Sequence, residues 1–268
     1  MARRIAGWAR EQAPGRPLAV GICGPQGSGK STLTALLGRL LEARGLKTAV
    51  LSIDDLYLPR AERLTLADTV HPLLATRGVP GTHDPALGVA VLDALAESGP
   101  VPLPRFDKAR DDRAPERDWP VFEGPADVVL LEGWCVGARP QPAAALAAPV
   151  NALERDEDPH GVWRGFANAA LAGSYAELFG RLDRLVLMLA PDFGVVRRWR
   201  GEQEDRLRER LAAQGRDASL AMDDAALDRF VAHYQRLTDW IAEDLPAVAD
   251  VVLRLDEERR PTSEIPLS

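Results

Sequence analysis

The chain has 268 residues, 46% apolar and 27% charged, which is enough to bury a full core. A net charge of −7, from 33 basic and 40 acidic residues, argues against a nonspecific nucleic-acid binder and leaves room only for a local basic pocket. No stretch approaches the ~18 apolar residues of a membrane span, and Cys23 and Cys135 read as small buried thiols of a reducing compartment, not as a disulfide framework.

Residues Met1 to Trp8 carry positive charge with no apolar run behind them, so no secretory signal is expected there and a cytoplasmic location is the expectation. A helix is expected up to Gln12, broken by Pro14, Gly15 and Pro17. Leu18 to Cys23 is short and apolar, a buried strand. Leu33, Leu36, Leu37, Leu40 and Leu41 then form one helical face, with Gly45 at the C-terminal end. A second strand, Thr48 to Ile53, ends at Asp54-Asp55. From Tyr57 to Pro85 there is little periodicity and much Pro, Gly and Arg, so loops and short turns are expected until Asp84-Pro85 opens a helix with Leu87, Val91, Leu92 and Leu95 on one face.

After an extended piece, Val101 to Leu103, the segment from Pro104 to Asp118 mixes five basic with five acidic residues. Asp127 to Leu131 is a strand finishing at Glu132-Gly133, and Ala138 to Pro149 a Pro/Ala-rich surface excursion. Trp163, Phe166, Ala170, Leu171 and Tyr175 suggest one helix, Leu185 to Leu189 a strand, and residues 192–214 a charged helical region. Leu227, Phe230, Val231, Tyr234 and Ile241 mark an amphipathic helix ended by Pro246, and Val251 to Leu255 a last strand. Alternating strands and helices imply an α/β fold: one domain over 1–268, a central parallel sheet with helices on both faces and ligands at the strands' carboxyl ends.

The loop after the first strand, Gly24-Pro25-Gln26-Gly27-Ser28-Gly29-Lys30-Ser31, fits the phosphate-cradling pattern G-x-x-x-x-G-K-[ST]. Glycines let successive N–H groups converge on an anion, and the helix start adds its dipole. Lys30 reaches outer phosphates and Ser31 ligates Mg²⁺, with Thr32 next in the helix. A bare Gly-rich turn would need no such flanks, so nucleoside triphosphate binding is the reading.

Glu132 stands where an acid holds Mg²⁺ directly or through water. Asp54 is either a base toward an attacking hydroxyl or a turn-forming residue, and the residues alone leave that open because Asp55 is adjacent. His83 by itself reads as a hydrogen-bonded loop residue. The run Arg105 to Arg117 reads as a solvated face. Arg197, Arg198, Arg200, Arg206, Arg208 and Arg210 alternate with Glu202, Glu204, Asp205 and Glu209, either as surface helix pairs or as a lid that brings an arginine to a moving phosphoryl group.

Gly24 to Ser31, Ser52-Ile-Asp-Asp-Leu-Tyr57, Arg77-Gly-Val-Pro-Gly-Thr-His-Asp84, Phe106-Asp-Lys108, Asp112-Arg113 and Leu131-Glu-Gly-Trp134 together resemble the D-glycerate 3-kinase family, related to uridine kinase, pantothenate kinase and phosphoribulokinase. Trp199-Arg200, Gln203-Glu204, Asp256-Glu257 and Arg259 resemble its C-terminal part. The resemblance implies a three-layer P-loop fold with an acceptor-side insertion at about 56–120 and a lid at about 192–214. It implies Asp54 as base, Arg200 in the lid, and Arg77, His83, Asp84, Asp107, Lys108 and Arg113 around the acceptor. Leu56 departs from the family's usual Phe or Tyr, and Ala109-Arg110-Asp111 is short where some members have a Gly-rich spacer. The expectation is an ATP- and Mg²⁺-dependent kinase for the 3-hydroxyl of D-glycerate, with another small alcohol or a nucleotide-dependent switch as alternatives. Oligomeric state is not legible.

Overall fold

A computed structural model describes residues 1–13, 15–214 and 222–266; Pro14, expected to break the first helix, lies outside them. In chain order the elements are α1 (Ala2–Glu11), β1 (Leu18–Cys23), α2 (Lys30–Glu42), β2 (Thr48–Ser52), α3 (Arg60–Thr69), α4 (Pro85–Ala94), β3 (Gly99–Pro102), β4 (Phe106–Asp107), β5 (Asp112–Arg113), β6 (Val121–Gly124) and β7 (Val128–Gly133). There follow α5 (Ala152–Glu157), α6 (Val162–Ala172), α7 (Ser174–Phe179), β8 (Arg184–Leu189), α8 (Phe193–Ala213), α9 (Asp224–Asp244), β9 (Val251–Leu255) and β10 (Pro261–Pro266).

The main sheet runs β10-β9-β8-β1-β7-β2, parallel except for β10, which returns antiparallel on β9. Its strands are apolar on both sides because both faces are covered. Val20, Ile22, Leu130, Val186 and Leu253 pack under α1, α2 and α8. Cys23, Leu51, Val129, Leu131, Leu187 and Val252 pack under α4, α7 and α9. The result is the three-layer α/β architecture that the strand–helix alternation implies. Among the described residues no helix is long and apolar enough to cross a membrane.

Local departures have local causes. In α2 the buried ridge is Leu37 and Leu41 with Leu33 beside them, whereas Leu36 and Leu40 are 52% and 37% exposed. The i, i+4 ridge alone seats on the sheet, so the apolar stripe is narrower than the leucine count suggests. The stretch read as loops from Tyr57 to Pro85 contains α3, a ten-residue helix. Its one fully buried side chain is polar, Arg63, so no apolar period advertises it. The helix expected from Trp163 to Tyr175 is two, α6 and α7, divided at Gly173. The mixed-charge run folds as the β4–β5 hairpin.

Candidate active site

Glu132 ends β7, the strand beside β1, in register with Ile22. That places its carboxylate beside the first turn of α2. Ser31 Oγ donates to Glu132 Oε1 at 2.9 Å, and Lys30 Nζ lies 3.9 Å from Oε2, which is buried and makes no hydrogen bond. Buried carboxylate oxygens are rarely left so. A hydroxyl and an unmet carboxylate oxygen side by side are hard oxygen donors of the kind Mg²⁺ takes, and such sites need only one or two protein ligands besides phosphates and water. The residues therefore fit the ion. Ser28 Oγ and Gln26 Oε1, in the loop itself, are also buried and unmet. Pro25, Gly24 and Gly29 complete the turn, Gly29 at φ 86° as the N-cap of α2, and Thr32 is exposed on that helix.

The loop is held from outside by α8 and by the β9–β10 turn. Arg259 Nε donates to Gly27 O at 2.6 Å and its guanidinium lies over Trp199, whose Nε1 donates to Glu257 O at 2.7 Å. Gly27, at φ 77°, must be glycine: a Cβ there would sit 2.6 Å from Trp199 Cβ.

Asp54 and Asp55 separate cleanly in the 3₁₀ turn after β2. Ser52, not an aspartate, caps the turn, accepting from Asp54 N–H. Asp55 accepts from Phe106 N–H at 3.0 Å and from Arg105, and so anchors the β4–β5 hairpin. Asp54 instead meets Lys108 Nζ at 2.7 Å and accepts from Tyr57 OH at 3.2 Å. Burial pushes the Asp54 carboxyl up, but the charges of Lys108 and Lys30 outweigh it and hold the group at about 2. Asp54 is thus ionised and lies within the electrostatic reach of the P-loop lysine.

The remaining residues expected around the acceptor sit in pairs. Arg113 bridges Tyr57 O at 3.1 Å and Asp84 Oδ2 at 3.2 Å, while Asp84 Oδ1 caps α4 at Leu87 N–H. Arg77 pairs with Asp111 and lies over the Phe106 ring. His83 is stacked on Tyr57, centroids 4.3 Å apart, and bonded to Tyr175. Asp107 stands apart: its carboxylate accepts from Ala109 and Arg110 N–H groups, closing its own turn. Arg200 pairs with the buried Glu204 four residues on and lies over the Phe230 ring, while Arg197 faces Asp228 on α9.

Residues without a site role in the sequence reading complete the frame. Arg63 donates to Leu58 O, Ala75 O and Asp111 O, joining three acceptor-side segments. Tyr234 donates to Arg77 O at 3.2 Å, and a Cβ on Gly78 would collide with its hydroxyl.

Comparison with known proteins places this geometry. A family model described as methylmalonyl Co-A mutase-associated GTPase MeaB matches residues 3–58, from α1 through the turn after β2. The uncharacterized kinase mug58 of Schizosaccharomyces pombe is 34% identical over 231 residues, covering 82% of this chain and 79% of that protein. The chloroplastic D-glycerate 3-kinase of Arabidopsis thaliana is 31% identical over 263 residues, 91% of this chain. The chain belongs to the D-glycerate 3-kinase family of P-loop kinases. It spans about half, 54%, of the Arabidopsis protein's length. The solved D-glycerate 3-kinase from Cryptococcus neoformans superposes with a TM-score of 0.76 at 26% identity, covering 100% of this chain and 99% of that one. These relatives are named as kinases, and the P-loop, the Asp54 turn and the segments 77–84 and 106–113 that carry the resemblance lie together here.

Proposed function

We propose that this chain transfers the terminal phosphoryl group of ATP to the 3-hydroxyl of D-glycerate. The observation carrying the reading is the ionised Asp54, clasped by Lys108 and Tyr57 and acting electrostatically on the same Lys30 that faces Glu132. In this reading the small alcohol is held between the acid and the phosphate cradle.

In this reading the loop N–H groups and Lys30 hold the outer phosphates. Ser31 and Glu132 would hold Mg²⁺, which when bound neutralises charge between those phosphates. Asp54 orients the acceptor hydroxyl and takes its proton. A carboxylate held near 2 is a weak base, so the proton moves late, once the oxygen has begun to bond to phosphorus and become acidic. Lys108, Arg113 and Arg77 are the cations for the acceptor's carboxylate, an arginine clamping it bidentately. Arg200 leaves Glu204 to meet the transferring group when the lid closes over it. We place the protein in the cytoplasm as one kinase domain.

A coupled assay of ADP release across D-glycerate, uridine, pantothenate and simple sugars tests the assignment. D-glycerate is expected to give the highest kcat/KM, and a strong preference for uridine or pantothenate overturns it. The match of residues 3–58 to a GTPase model favours a second reading, a nucleotide-dependent switch. GTP hydrolysis stimulated by a partner protein, with no acceptor-dependent ADP release, would support the switch instead.

A further inference from the structure

Resting on that acceptor site, we propose that Tyr175 fixes the tautomer of His83, so that His83 offers an uncharged Nε2–H donor to an acceptor oxygen next to the hydroxyl that is phosphorylated. The hydrogen-bond arithmetic decides the tautomer. Tyr175 OH accepts from Gly81 N–H at 3.0 Å and from His83 N–H at 3.3 Å, which occupies its lone pairs. Its single hydrogen then goes to His83 Nδ1, 2.6 Å away. A neutral imidazole whose Nδ1 accepts carries its hydrogen on Nε2. That Nε2 is buried and has no partner among the described residues, in a side chain only 3% exposed.

The ring cannot easily turn to escape. Tyr57 stacks on it at an interplanar angle of 19°, and Tyr175 meets it edge-on. The groups around it also keep it neutral. Burial holds His83 down at about 3 against the pull of Asp54, and burial pushes the Tyr57 and Tyr175 phenols well above their ordinary value. Asp84, next in the chain, has its carboxylate turned to Leu87 and Arg113. The tyrosine that bonds His83 Nδ1 is therefore a positioning residue, acting through the histidine.

A fixed donor discriminates by chemistry. A hydroxyl or carboxylate oxygen has a lone pair for it; an ammonium has none. The ionised Asp54 would otherwise welcome an ammonium, so the His83 donor selects a hydroxy acid over the amino acid of the same skeleton, D-glycerate over D-serine. A site built to bond a group rejects analogues that cannot complete the bond.

The test begins with the full chain labelled with ¹⁵N in its histidine rings, His83 being assigned by its loss in His83→Gln. The expected spectrum shows His83 as the Nε2–H tautomer, untitrated from pH 5 to 8; an Nδ1–H ring or titration in that range overturns the proposal. Adding D-glycerate with a non-hydrolysable ATP analogue should shift Nε2 more than Nδ1, and no shift overturns the contact. In Tyr175→Phe the ring is free to place its hydrogen on Nδ1, where the ¹⁵N spectrum of the variant should show it. Its acceptor KM should therefore rise about tenfold while the KM for ATP stays unchanged. Its discrimination against D-serine should shrink at pH 8. A folding defect would raise both KM values and leave the hydrogen on Nε2, so an acceptor KM that never rises, or one that rises while the ring keeps its Nε2–H, overturns the proposal. If D-glycerate itself is not turned over, the kinase assignment fails while the tautomer is still judged by its own spectrum, and the Nε2 shift is then read with the acceptor that is turned over.

Discussion

In the proposed site the phosphate half and the acceptor half differ in how their charged groups are met, although His83 Nε2 and Arg113 Nε are also buried without partners. Around the P-loop, polar atoms are left waiting: Glu132 Oε2, Ser28 Oγ and Gln26 Oε1 are buried and unmet. On the acceptor side the charged groups have already found each other, Asp54 with Lys108, Arg113 with Asp84, Arg77 with Asp111. The first half is preorganised for an anion and a cation supplied from outside. In the proposed reading the second exchanges internal partners for the ligand, so its affinity would be a difference between two sets of ion pairs and depend on pH and salt.

If the lid joins the two halves, its loss should be the costliest change. Arg200→Ala is expected to lower kcat by roughly 10³–10⁵ with a much smaller change in ATP affinity. Arg197→Ala, whose side chain faces Asp228, should do far less. Equal loss of ATP binding and turnover in Arg200→Ala would make it a ground-state contact.

Within the phosphate half, Glu132→Gln leaves the Ser31 hydroxyl a partner but removes the charge. The Mg²⁺ concentration for half-maximal turnover should rise roughly 10–100-fold, read by titrating Mg²⁺ at fixed ATP. An unchanged Mg²⁺ requirement would remove Glu132 from the metal's surroundings.

The acceptor half should respond more gently and through pH. Lys108→Ala removes one of the two cations that hold Asp54 at about 2, so its pKa should rise and the acidic limb of kcat/KM should move to higher pH. The sign for stability follows: Asp54 is depressed in the fold, so its contribution is present above the ordinary carboxylate range and lost as pH falls toward about 2. In Lys108→Ala that contribution shrinks. The acceptor KM should also rise, about tenfold if Lys108 meets the carboxylate.

The same contrast explains what the sequence revealed. The phosphate half is contiguous: an apolar strand, a glycine loop and a helix are written in one run, and Glu132 is marked by the apolar strand it ends. The two P-loop-side strands and the acid were legible for that reason. The acceptor half depends on contacts far apart in the chain. Arg63 in α3 reaches Asp111 and leaves no periodic trace, and Tyr175 in α7 reaches His83 but is marked in the sequence only as one position of a helical face. Asp54 and Asp55 are equivalent in sequence; only the hairpin that Asp55 anchors separates them. The leucines of α2 show the opposite limit, since apolar periodicity named five where the buried ridge uses Leu37 and Leu41.

Asp54 is where the two halves meet, and Asp54→Asn tests that junction most directly. ATP binding measured by titration calorimetry and acceptor-dependent ADP release should be determined on the same preparation. Binding within a few-fold of the parent with turnover lowered roughly 10²–10⁴ is the result expected of a base facing the cradle. Turnover close to the parent's would contradict the account, whatever the acceptor.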